Sequence, residues 1–178
     1  MTDAVEMVLA VDEHDQPVGV MPRARAKADN HWTRSAHVWV YNADGQILCH
    51  KRSLSKDRSP GLWTSSLGGH LSPDEDYTAA AAREVAEEIG IELLTGNLTL
   101  YKILKIPHGR DYGAIFGAQS EADSAGLKFD PAEIDQLCWY DTTQLRQVIH
   151  SRHPCWVHLG HELEVLDWLE YQLLSRVV

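Results

Sequence analysis

Residues 69–91 read GHLSPDEDYTAAAAREVAEEIGI, and the way this run divides into glycine, turn, amphipathic helix and stop decides the fold. Ser72-Pro73-Asp74 reads as a turn, and Asp76 is the expected N-cap of the helix that follows, with Asp74 as the alternative. On a helix turning roughly 100° per residue, Glu84, Glu87 and Glu88 fall within about one third of the circumference. Ala82, Val85, Ala86 and Ile89 take the i, i+3, i+4, i+7 positions on the other side, the spacing with which a helix docks on a sheet. Gly90 is placed as the left-handed residue that ends the helix, and Gly68-Gly69 form a loop where backbone comes close to a ligand.

The helix therefore has one face for packing and one for something else. Glu84 and Glu88 are like charges one turn apart, a spacing that costs roughly 0.2–0.5 kcal/mol on an exposed helix. Arg83, four residues before Glu87, offsets only part of this. Clustered carboxylates match the oxygen preference of Mg2+, with Mn2+ as the other fitting cation. A solvated acidic face is the bland alternative for three Glu on an arbitrary helix. The glycine pair before this one and the stop after it favour a site.

Composition sets the outer limits. The chain has 178 residues, 44% of them apolar and 24% charged, which fits one globular domain over 1–178. Its net charge of −10 argues against a general nucleic-acid or anionic-membrane binder. Cys49, Cys138 and Cys155 are scattered and odd in number, so they make no disulfide framework. Without a signal peptide or a membrane-length apolar run, the expected location is the cytoplasm. The expected partner is a small molecule, and the protein itself a monomer or homodimer.

In chain order, Glu6 to Asp12 and Val18 to Met21 read as an N-terminal hairpin, and Pro22 to His31 as a loop or short helix. Ser35 to Tyr41, the Asn42-Ala43-Asp44-Gly45 turn and Gln46 to Arg52 form a second hairpin, expected at the centre of the sheet. Positive charge collects in KRSLSKDRSPGLWTSSL, residues 51–67, where Lys51, Arg52, Lys56 and Arg58 sit just upstream of the glycine pair. In an acidic chain that placement suggests phosphate anchoring, against the plainer reading of solubilising charge. Strands follow at Leu98 to Ile106 and Tyr112 to Gln119, then a surface loop from Glu121 to Pro131 and a short last strand, Leu137 to Tyr140. Thr142 to His150 and Leu163 to Leu174 read as helices, the second with Leu163, Leu166, Leu169 and Leu173 on its apolar side. His150, His153, Cys155, His158 and His161 have spacings that could hold zinc, but Pro154 and Trp156 favour a packed loop there.

Written as a pattern, residues 69–91 are G-x5-E-x7-R-E-U-x-E-E-x-G-U, with U aliphatic, and this resembles the Nudix box at every specified position. The resemblance implies an α/β fold, a Nudix-type α/β/α sandwich with a mixed central sheet. It also implies hydrolysis of the pyrophosphate bond of a nucleoside diphosphate derivative or other organic diphosphate. By the same resemblance, Glu84, Glu87, Glu88 and the Gly69 carbonyl hold Mg2+, Arg83 orients the carboxylates, and Glu75 is a supporting or outer ligand. Glu84 is the first candidate for general base, with Glu121, Asp130 and Glu133 open as later-loop alternatives.

VDEHDQPVG, WVYNADGQIL and KRSLSKDRSPGLWTSSLGGH are similar to the branch containing isopentenyl diphosphate isomerase. There an Arg and a Lys hold the diphosphate, and they match Arg52 and Lys56. The catalytic cysteine of that enzyme falls at Gly68, and one of its metal-binding histidines falls at Thr33 unless a small gap brings in His31 or His37. Hydrolysis is therefore the favoured reading, with isomerisation or a non-catalytic diphosphate-binding module as alternatives.

Overall fold

The chain enters through a hairpin, β1 (Met7–Val11) and β2 (Pro17–Pro22), whose turn is held by Asp12 Oδ1 accepting from the amides of His14 and Gln16. These details come from a computed structural model, which describes residues 5–122 and 126–174. The stretch read as a loop or short helix is a helix, α1 (Arg23–Ala28), and its Ala26 packs against Val8, Ala10 and Met21.

The second hairpin, β3 (Thr33–Tyr41) and β4 (Gln46–Arg52), departs from expectation. Its strands pair only at Tyr41 and Ile47 and then splay apart. Into the opening runs the segment after the cationic stretch, with β5 (Trp63–Thr64) on β4 and β6 (Leu67–His70) on β3. Gly68 and Gly69 thus sit in a strand opposite His37 and Ala36, where a loop was expected. Small residues and a glycine pair hid the strand, because they carry little β-propensity.

Beyond α2 (Tyr77–Ile89), the sheet is completed by β7 (Leu98–Ile106), β8 (Asp111–Gln119) and β9 (Ile134–Asp141). β8 runs parallel to β3 over its whole length, while β7–β8 and β4–β9 are antiparallel, so the sheet is mixed. Period-two alternation divides β3 between two cores. Ala36, Val38 and Val40 meet Val85 and Ile89 of α2, whereas Trp39 and Tyr41 meet α3 (Thr142–His150) and α4 (Glu162–Leu174) through Leu145, Val165, Leu166 and Leu169. The result is the expected α/β/α sandwich. Val85 and Ile89 are fully buried and contribute roughly 1.5–3 kcal/mol each. A charge at Val85 would undock the helix that carries the carboxylates.

Candidate active site

The sequence dictates α2 at both ends. Asp76 is the N-cap, its Oδ1 accepting from the Ala79 amide at 2.8 Å, and Gly90 closes the helix at φ 70°. Four alanines at 79–82 then favour helix with little competition. The buried stripe is rotated from the one expected: Ala81, Val85, Glu88 and Ile89 are buried, while Ala82 and Ala86 lie half-buried at its flank. That rotation carries Glu88 out of solvent.

Glu88 is 8% exposed, and its Oε2 is buried without a hydrogen-bond partner among the described residues. Burial, then the charges of Glu84 and Glu133, push its carboxyl up to about 8, although the Gly68 amide bonds to it. Glu84 is likewise pushed up by burial, against the pull of Arg83. A buried carboxyl oxygen beside a second carboxyl raised by burial is a donor set that fits a divalent cation. Among the described residues, no three His, Cys, Asp or Glu side chains converge into a ready coordination shell. Glu84 and Glu87 are instead turned onto Arg83.

Arg83 organises this face. Its Nη1 donates to Glu84 Oε1 at 2.7 Å and Glu87 Oε2 at 3.1 Å, and its Nη2 to the His70 carbonyl at 3.1 Å. Nε and Nη2 also reach Glu75, at 2.9 and 2.8 Å. Glu75 therefore supports the guanidinium. The adjoining backbone must be bare, since a Cβ on Gly69 would lie 2.6 Å from Glu84 Oε1. On the other side of β6, His70 Nδ1 lies 3.5 Å from Glu6 Oε1. The hydrogen bond from His70, helped by Arg23, holds the Glu6 carboxyl down to about 2.

The cationic segment folds beside the end of α2. Leu48, with His50 and Arg52 in alternation after it, faces the α2 core, whereas Lys51 turns away to Asp135 at 2.9 Å. Arg52 Nε donates to the Arg58 carbonyl at 3.0 Å. Lys56 forms an ion pair with Glu133. Of the three later-loop acids, Glu133 is the one that Lys56 holds and whose charge is felt by Glu88. Asp130 caps its own turn through the Ala132 amide, and Glu121 binds the Ala43 amide at the Tyr41 end of β3.

Some residues escaped the sequence reading. His50 is 3% exposed with Nδ1 unpartnered, and burial, reinforced by Arg52 and Lys56, pushes its imidazole down to about 3. Alternation along β4 could have placed it on the site face. Ser35 Oγ lies 3.0 Å from His37 Nε2 and also donates to Asp111, a pairing across β3 and β8 that no local pattern signals. In the histidine-rich segment, His158 Nε2 lies 3.0 Å from the His153 carbonyl oxygen, and the Cys155 amide donates to His153 Nδ1 at 3.3 Å. Two surface hollows lie elsewhere, one lined by Gly96, Asn97 and Thr99 and one by Ile149, His150 and Arg152. Neither includes a box carboxylate.

Known proteins place this geometry. The NUDIX domain model matches residues 31–159. An uncharacterized Nudix hydrolase of Pseudomonas aeruginosa, PA4841, is 33% identical over 131 residues, 74% of this chain and 76% of that one. The isopentenyl-diphosphate Delta-isomerase of Citrobacter koseri is 31% identical over 152 residues, covering 82% of this chain and 83% of the relative. That of Salmonella paratyphi B is 39% identical over 89 residues, about half of each chain at 49%. In fold, the chain is similar to DR0079 from Deinococcus radiodurans, with a TM-score of 0.71 at 22% identity over 92% of this chain and 99% of that one. With the glutamate helix, its bare glycine and its arginine clamp all inside the matched span, the chain belongs to the Nudix family.

Proposed function

We propose that this protein hydrolyses the pyrophosphate bond of a small organic diphosphate, a nucleoside diphosphate derivative being the first choice, with Mg2+ or Mn2+. The observation that carries this is the Glu88 oxygen, buried and without a partner among the described residues, beside the half-buried Glu84, whose carboxyl burial also pushes up. Glu84, Glu87, Glu88 and the Gly69 carbonyl would hold the cation, which when bound supplies charge neutralisation on the phosphate oxygens. Arg83 fixes the orientation of Glu84 and Glu87, and Arg52 and Lys56 hold the phosphates. In the reaction, water oxygen bonds to phosphorus, its proton passes to a carboxylate, and the bridging P–O bond breaks with its electron pair leaving on the departing phosphate. Glu84 is the first candidate acceptor in the box, and Glu133, whose charge reaches Glu88, is the later-loop alternative.

Isopentenyl diphosphate isomerisation is the second reading, favoured by the isomerase relatives. Gly68 counts against it, since no thiol is present and a Cβ there would lie 1.9 Å from the Ala36 carbonyl oxygen. A panel of nucleoside and non-nucleoside diphosphates assayed for phosphate or monophosphate release with Mg2+, beside an allylic isomerisation assay, tests both. Isomerisation without hydrolysis overturns the proposal. Loss of both would leave a binding module.

A further inference from the structure

The phosphate-anchoring segment and the end of the carboxylate helix are stitched together by residues 130–135. The Asp130 amide donates to the Glu88 carbonyl at 3.1 Å, and the Ser53 amide to the Glu133 carbonyl at 2.9 Å. Ser55 Oγ donates to the Ala132 carbonyl at 2.9 Å, and Lys51 reaches Asp135 at the same distance. The three contacts with a backbone partner form a fixed frame. Beside it two contacts join side-chain ends alone, Lys51–Asp135 and Lys56–Glu133, and it is the second whose charges reach Glu88. The lysine retains 27% of its side-chain exposure and the glutamate 35%, so a ligand entering from solvent can reach both.

We infer that the Lys56–Glu133 ion pair is a latch opened by the substrate: a diphosphate oxygen takes Lys56, and Glu133 is released to face Glu88 and the attacking water. Two facts support an exchange over a permanent bridge. A phosphate carries more charge than a carboxylate and offers several oxygens to one ammonium, so it competes well for a lysine on a flexible stem. Glu133 also has an electrostatic reason to stay on Lys56 until then, since the ammonium neutralises it and the other group its charge reaches is a carboxyl, that of Glu88. Releasing Glu133 places a free carboxylate near the carboxylate helix only after a phosphate has arrived. The proton it accepts is the one water loses as its oxygen bonds to phosphorus, so the base and the substrate are delivered together.

This inference rests on the reading of Lys56 as a phosphate contact, and the experiment separates the two. The affinity of methylenediphosphonate, which cannot be hydrolysed at its bridge, is measured by calorimetry in saturating Mg2+ for the unaltered protein, Glu133→Gln, Lys56→Ala and the double variant. Glutamine leaves the backbone bonds of residue 133 in place. Losing a competing partly exposed ion pair should tighten binding roughly two- to five-fold in Glu133→Gln. No tightening should appear when the same change is made on Lys56→Ala. On an active diphosphate, KM should fall with kcat in Glu133→Gln, a split that a merely structural role would not produce. Equal tightening with and without Lys56 would show that Glu133 contributes only diffuse negative charge, and the latch fails while the anchor stands. Affinity that ignores Lys56→Ala overturns both.

Discussion

Arg83 and Glu75 meet through two parallel hydrogen bonds, Nε to Oε1 at 2.9 Å and Nη2 to Oε2 at 2.8 Å. The fork fixes the guanidinium plane, so Nη1 is aimed at Glu84 and Glu87 together. Glu75 acts through Arg83, and its own carboxyl is held below the usual range by that arginine. Glu75→Gln should keep the fold and lower kcat by roughly 10- to 100-fold, as losses of supporting partners do. Steady-state kinetics with a Mg2+ titration checks this. Unchanged kcat would make the fork a surface ornament.

Glu87 differs from its neighbours in keeping 59% of its side chain exposed while pairing with Arg83 at 3.1 Å. Glu87→Gln should lower turnover by orders of magnitude. Metal-free thermal stability should hold within about 0.5 kcal/mol, because an exposed pair contributes little and a like-charge cluster is relieved. Near-normal turnover at saturating Mg2+ would remove Glu87 from the mechanism.

Gly68 has φ 149° and pairs with His37, with a would-be Cβ 1.9 Å from the Ala36 carbonyl oxygen. Gly68→Cys therefore forces β6 away from β3, or strains the backbone, and should destabilise by roughly 1–3 kcal/mol. It should not create isomerase activity. A stable Gly68→Cys variant that isomerises an allylic diphosphate would contradict both statements.

This site also shows what was legible from sequence. The box announced α2 because caps, alternation and charge all fall within one continuous run, and the structure agrees at Asp76 and Gly90. Gly68-Gly69 misled because a strand two residues either side of a bare backbone has no apolar rhythm. The Lys56–Glu133 and Ser35–Asp111 contacts span 77 and 76 residues. Pairings of that kind depend on how β3 and β4 splay, and no local pattern encodes the splay. Val85 and Ile89 of the helical stripe are legible, whereas Ala80, Ala81 and Glu88 join it and Ala82 and Ala86 sit half-buried, because a glutamate carries no apolar signal.

Two desolvated histidines shape the acid limb of stability, together with the depressed carboxyl of Glu6. Burial pushes His37 down to about 4, with Asp111 opposing and His161 and His70 adding, and pushes His50 down to about 3. The unfolded chain takes these protons below 6.5 and the folded protein refuses them, so stability is complete above 6.5 and falls as pH drops toward 4 and 3. Glu88 runs the other way, since its raised carboxyl costs metal-free stability as pH climbs from 4.5 to about 8. In chelator, melting temperature should peak between these limbs, and His37→Gln should flatten the acid one. An acid limb that His37→Gln leaves unchanged would show that His37 titrates normally.

The anchoring roles proposed for Arg52 and Lys56 separate by geometry. Arg52 lies on the α2 face of β4 and, among the described residues, bonds through Nε to the Arg58 carbonyl, which leaves its Nη groups for a phosphate. Lys56 must first leave Glu133, so part of its gain on binding substrate is offset. Truncating Arg52 should therefore cost more than truncating Lys56, with roughly 1.5–3 kcal/mol lost in apparent transition-state binding at Arg52. A contact made equally in ground and transition states shows in KM, and one that tightens as charge develops shows in kcat. Lys51 faces the opposite side of the strand, where Asp135 holds it at 2.9 Å, and serves as the control. Alanine variants at all three positions, assayed on whichever diphosphate proves active, decide the matter. Equal losses at Lys51 and Arg52 would reduce the segment to diffuse positive charge, and the anchoring assignment would fall.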